Sequence, residues 1–164
     1  MSSFERAGYR ALSGFLLDTN IVSGLAPSKL EASADFLTWL DRMDADGRIF
    51  LSVVSIHEIE KGIALLEHKG ATAKVASLKA WLSGLVSMYD DKIISFDAQA
   101  AAIGGQLEAK ALAAGHDPGM ADAVIAGIAA AHELVVVTRN TKHFLPFGIA
   151  VLSPDEAATK GGPA

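Results

Sequence analysis

Short apolar runs alternate with longer amphipathic stretches along most of this chain, and that alternation restricts the folds open to it more than any other feature. Residues 15–17, 49–54, 92–96, 134–138 and 149–152 are brief and rich in Phe, Ile, Leu and Val, the pattern of strands buried in a sheet. Residues 34–43, 55–67, 71–88, 97–114 and 119–132 instead repeat apolar side chains at helical spacing. Phe36, Leu37 and Leu40 mark the first of these stretches, and Ile56, Ile59, Ile63 and Leu66 the second. Asp117 and Pro118 read as the N-cap and first residue of the helix over 119–132. Strands joined through helical crossovers of this length run parallel, so the expectation is an α/β fold in three layers: a mainly parallel sheet with helices on both faces.

The chain's 164 residues, 51% of them hydrophobic, suffice for one core without covalent staples. There is no cysteine, which removes disulfides, a thiolate nucleophile and cysteine-ligated zinc, and suits a reducing, cytoplasmic setting. Glu5, Arg6 and Arg10 interrupt the uniform apolar stretch that a signal peptide or membrane helix requires, so no membrane association is expected. The expected organisation is an N-terminal extension over 1–14, a domain over 15–155 and a C-terminal tail over 156–164. A net charge of −5 argues against a broad phosphate-binding surface. If nucleic acid is the substrate, a bound cation has to supply part of the positive charge.

In an open parallel sheet the functional crevice lies outside the carboxyl ends of the strands. Asp18 directly follows the first strand, Glu58 stands in the first turn of the helix after the second, Asp122 lies early in the helix that precedes the 134–138 strand, and Asn140 follows that strand. In a parallel sheet all four can converge. Such a set of oxygen donors suits a hard cation, Mg²⁺ or Mn²⁺, which can activate a water and stabilise charge on a leaving oxygen.

Each of these residues also has a structural reading. Asp18 can cap a short helix starting at Thr19. Ser55 and Glu58 have the spacing of a capping box. Asn140 can be a turn residue. Asp122 stands apart, because the stretch from 121 to 131 carries no other charge and an aspartate in so apolar a helix is costly unless it is paired or binds a cation. Asp97 reads as a helix N-cap. Gly62, four residues after Glu58, either leaves room for substrate or permits close packing, and Gly84, Gly104 and Gly105 read as packing positions. No H-E-x-x-H pair, dinucleotide fingerprint, phosphate-binding P-loop or nucleophile elbow is present.

Taken in order, 16–21 (LLDTNI), 55–63 (SIHEIEKGI), 121–126 (ADAVIA) and 137–140 (VTRN) resemble the motifs of PIN-domain ribonucleases, most closely VapC-type toxins and their FitB-like relatives. The resemblance spans about 15–155. It implies a PIN-like fold, Mg²⁺- or Mn²⁺-dependent cleavage of single-stranded RNA, homodimerisation, and neutralisation by a cognate VapB-like antitoxin. It also implies that Asp18 and Asp122 are the principal metal ligands, with Glu58 completing the site or positioning water. Many relatives carry a further acid after the last core strand, where this chain has Asn140 and then His143. Two other readings stay open: a degenerate PIN domain that binds without cutting, and a phosphatase of the haloacid dehalogenase type, which would want an acid where Asn20 stands.

Overall fold

The computed structural model describes residues 14–29 and 31–160. Five strands form one sheet in the order β3-β2-β1-β4-β5: β1 (Gly14–Leu17), β2 (Ile49–Ser52), β3 (Ile93–Ile94), β4 (Leu134–Val137) and β5 (Val151–Leu152). Every neighbouring pair is parallel. The helices are α1 (Thr19–Ser23), α2 (Ala34–Ala45), α3 (Val53–His68), α4 (Thr72–Tyr89), α5 (Ala98–Ala113), α6 (Met120–Ala131), α7 (Thr141–Phe144) and α8 (Pro154–Lys160).

The two-residue period of the strands divides the core. Phe15, Leu17, Ile49, Leu51, Val135 and Val137 face one layer, packing with Phe36, Trp39 and Met43 of α2, Ile59 and Ile63 of α3, Val75 and Leu82 of α4, and Ala157 of α8. Leu16, Leu134 and Val136 face the other, packing with Ala100 and Ala111 of α5, five residues of α6, and Phe144 and Phe147. Because β1, β2 and β4 are covered on both sides, they read as continuous apolar runs. The expected three-layer α/β architecture is the one observed. On the second face α5 and α6 approach backbone to backbone: a Cβ at Gly127 would stand 2.4 Å from the Ala100 carbonyl oxygen, and one at Gly104 3.0 Å from that of Ala123. Open space surrounds the equivalent positions at Gly62, Gly84 and Gly105, so close packing does not account for those glycines.

Several boundaries differ from expectation, each for a local reason. β2 stops at Ser52 rather than 54, because the Ser52 hydroxyl accepts the Ser55 N–H (3.3 Å) and starts α3 at Val53. The cap overrides the β propensity of two valines. Consequently Ser55 and Glu58 do not form the expected capping box, and Glu58 lies in the second turn of α3. Helix α6 starts at Met120 with Gly119 as an N-cap that makes no side-chain bond, so Asp117 and Pro118 lie before it and not at its cap. Asp97 does cap α5, accepting the Ala100 N–H at 2.9 Å. Gly14, the only described residue of the expected 1–14 extension, opens β1. Residues 156–160, placed in the expected tail, are helical, with Glu156 and Ser153 forming a reciprocal cap at the start of α8. The remainder of both segments lies outside the described residues. Among the described residues, no helix is long and apolar enough to cross a membrane.

Candidate active site

Since all five strands are parallel, the loops after β1, β2 and β4 leave the sheet on the same edge. Asp18 stands on the first of them. It is 6% exposed, and both of its carboxylate oxygens are engaged: Oδ1 accepts the Thr19 N–H at 2.8 Å, and Oδ2 accepts the Thr138 hydroxyl at 2.7 Å. The expected cap of α1 is therefore real, and it coexists with a contact to the end of β4. Burial raises the Asp18 pKa, the two hydrogen bonds oppose that rise, and repulsion from Asp122 and Glu58 adds to it.

Glu58 reaches the same place from α3. Its Oε1 accepts the hydroxyl of Thr19 at 2.9 Å, and the Thr19 hydroxyl lies 3.0 Å from that of the buried Ser55. Asp122 arrives from the first turn of α6, half-buried, its side chain 24% exposed. Burial raises its pKa, His143 lowers it, and repulsion from Glu58 raises it further. His143 Nδ1 stands 3.4 Å from Asp122 Oδ2. Asn140 is exposed, and its backbone N–H donates to Thr138 Oγ1 at 3.0 Å.

Asp122 and Glu58 thus act electrostatically on Asp18, and Glu58 on Asp122, although 104 positions separate Asp18 from Asp122 in sequence. Sequence reasoning missed the polar residues that hold them. Thr19, Ser55 and Thr138 carry hydroxyls into the site, and the signal available for them was their position at strand ends. His143, three residues past Asn140 in α7, lies beside Asp122. Asn20, where a haloacid-dehalogenase-type phosphatase needs an acid, bridges Thr138 and Arg139: Nδ2 donates to Thr138 Oγ1 (3.3 Å) and Oδ1 accepts the Arg139 N–H (3.2 Å).

A carboxyl whose folded pKa is raised binds its proton more tightly than in the unfolded chain. Its contribution to stability is complete below the ordinary carboxylate range and is lost as pH rises through the folded value. At neutral pH, Asp122 as an anion therefore opposes folding when no cation is bound. Asp122→Asn should raise the melting temperature of metal-free protein, by about 2–4 °C if the relief is about 1 kcal/mol. Melting scans at neutral pH and below the carboxylate range check this: the difference should vanish on acidification, and a variant that melts lower than wild type at neutral pH contradicts it.

Among the described residues, no cluster of three or more His, Cys, Asp or Glu side chains forms a cage able to hold a metal ion by itself. Mg²⁺ does not need one, since it keeps much of its water and is held through one or two carboxylates together with substrate phosphate. Two mutually repelling aspartates, Asp18 and Asp122, have the donor chemistry for that mode.

Comparison with known proteins identifies the family. The PIN domain family model matches residues 15–145. The chain is 36% identical to plasmid stability protein StbB of Pseudomonas syringae over 143 residues, covering 87% of this chain and 99% of that protein. It is 32% identical to toxin FitB of Neisseria gonorrhoeae over 139 residues, 85% and 96% of the two chains, and 30% identical to a VapC ribonuclease of Sinorhizobium fredii over 144 residues, 87% and 99%. The crystal structure of FitAcB from Neisseria gonorrhoeae superposes with a TM-score of 0.70 at 30% identity, covering 85% of this chain and 97% of the other. On the motifs, the sheet and these relatives together, the chain belongs to the PIN-domain family, among its VapC and FitB toxins.

Proposed function

We propose that this protein is a Mg²⁺- or Mn²⁺-dependent endoribonuclease that cleaves single-stranded RNA, and that it acts as a toxin restrained by a VapB-like antitoxin. The observation that carries this reading is the convergence of Asp18, Glu58 and Asp122 at one end of the sheet, where Asp122 and Glu58 raise the cost of ionising Asp18 and Glu58 raises that of ionising Asp122. Asp18 and Asp122 are the residues that hold the cation, and its bound form supplies an activated water and charge stabilisation at the phosphodiester.

The chain's own residues do the rest. Thr138 and the Thr19 N–H fix the Asp18 carboxylate in one orientation, which spares the site the entropy of ordering it during reaction. Thr19 holds Glu58 by one oxygen, leaving Oε2 to accept a hydrogen bond from the attacking water and orient it. Asn140 is tied to the site through its backbone N–H, which donates to Thr138 Oγ1. His143, 3.4 Å from Asp122 Oδ2, opposes the rise in that carboxyl's pKa. The cation also answers the chain's net charge of −5, which otherwise repels a polyanion.

The names of the relatives support the toxin role, while the antitoxin partner and the homodimer rest on the family resemblance. Expression of the chain alone should arrest bacterial growth, and co-expression with the small protein encoded beside it should restore growth. A folded chain that accumulates without slowing growth contradicts the toxin role.

A further inference from the structure

A second cleft, of about 340 Å³, opens beside the carboxylate crevice, within the ~300–1,000 Å³ range of small-ligand pockets. The buried side chains of Ile21 and Phe36 underlie it, and Glu31, Asp155 and Arg139 give it charge. Arg139 is ion-paired with Glu31, and its guanidinium lies close enough to Gly24 that a Cβ there would come within 2.9 Å of it. Arg139 also joins the cleft to the carboxylates. Its N–H donates to Asn20, the Asn20 amide donates to Thr138, and Thr138 donates to Asp18.

We propose that this cleft receives a guanine base of the RNA substrate next to the scissile phosphate and sets the sequence preference of cleavage; the inference rests on the ribonuclease reading above. Two carboxylates against one guanidinium repel a phosphate, which leaves an uncharged base as the part of an RNA chain that fits. Guanine alone among the four RNA bases offers two adjacent N–H donors, N1–H and the exocyclic amine, to a carboxylate. It also offers O6 and N7 to a guanidinium, the commonest base contact of arginine. Single-stranded RNA is the form whose bases are free to enter such a pocket.

The test uses full-length protein with Mg²⁺ or Mn²⁺ and two substrates. A random single-stranded RNA pool, with the new ends sequenced, should show guanine enriched at one position adjoining the cut. In a defined oligonucleotide carrying that guanine, replacement by inosine, which lacks the exocyclic amine, should slow cleavage about tenfold or more. In Glu31→Gln and Asp155→Asn proteins the guanine-to-inosine rate ratio should fall toward one, whatever their absolute rates. A change in folding alone would not move that ratio. Cleavage by wild type without guanine enrichment overturns the pocket and leaves the ribonuclease reading intact, as does a ratio that neither substitution alters. Variants that lose only their grip on the antitoxin, with RNA preference unchanged, make the cleft a protein contact and also overturn it. A folded, cation-loaded wild type that cuts no RNA overturns the ribonuclease reading itself and the pocket with it.

Discussion

Asp18→Asn should lower cation-stimulated RNA cleavage by about 10²–10⁴-fold, the effect of removing several kcal/mol of transition-state stabilisation. The substitution is chosen because the site is so tightly built. An asparagine keeps a carbonyl for the Thr19 N–H and removes only the acceptor of the Thr138 hydroxyl, whereas alanine would leave both donors without their acceptor, at a cost of about 1–3 kcal/mol per buried group. Lost activity in Asp18→Ala mixes lost structure with lost charge; in Asp18→Asn that melts like wild type it reports the missing charge. The cation should also stabilise wild type against heat, because it binds the folded site and not the unfolded chain. That stabilisation should be absent from the asparagine variant. Cleavage rates and melting curves with and without Mn²⁺, measured on the same preparations, decide the matter. Wild-type cleavage by Asp18→Asn would remove this residue from the site.

Glu58→Gln should cut activity by about 10²-fold or more while leaving metal-free melting within about 2 °C of wild type, since exposed or lightly held polar changes shift stability by only about 0.5 kcal/mol. The reason lies in where α3 begins. A glutamate at the fourth position of a capping box would make its removal a structural injury, but Ser52 caps this helix, and Glu58 stands one turn further in with its carboxylate on Thr19. Glutamine retains an oxygen for the Thr19 hydroxyl and loses the charge. Even Glu58→Ala should therefore spare the stability that loss of a helix cap would cost, about 1 kcal/mol. Activity and melting of the two variants separate the roles, and a Glu58→Gln protein that cleaves at the wild-type rate would reduce Glu58 to a support for Thr19.

The layers of this fold were legible because β1, β2 and β4 are buried on both faces and therefore appear in sequence as unbroken apolar runs. Strand ends were less so. Ser52, Val53 and Val54 continue the apolar run with good β formers, and the hydrogen bond that ends the strand forms only when Ser52 turns to meet the Ser55 N–H. The same displacement hid the start of α6, where Asp117 and Pro118 spell a helix entry that Gly119 takes instead. Asp122 was conspicuous as a charge in an apolar helix. Thr19, Ser55 and Thr138 were not, because a hydroxyl at a strand end is common and its function depends on partners 36 to 120 positions away. His143 has the same cause: its meaning comes from the 3.4 Å to Asp122, which no local pattern records.

Purified wild-type protein incubated with a single-stranded RNA in chelator, then supplied with Mg²⁺ or Mn²⁺, tests the assignment of these carboxylates most directly. Cleavage should be absent in chelator, appear when either cation is restored, and stay absent in Asp122→Asn protein that melts cooperatively. Cleavage that persists after complete chelation, or a folded wild type that leaves RNA intact with both cations present, would contradict a metal-dependent ribonuclease at Asp18, Glu58 and Asp122.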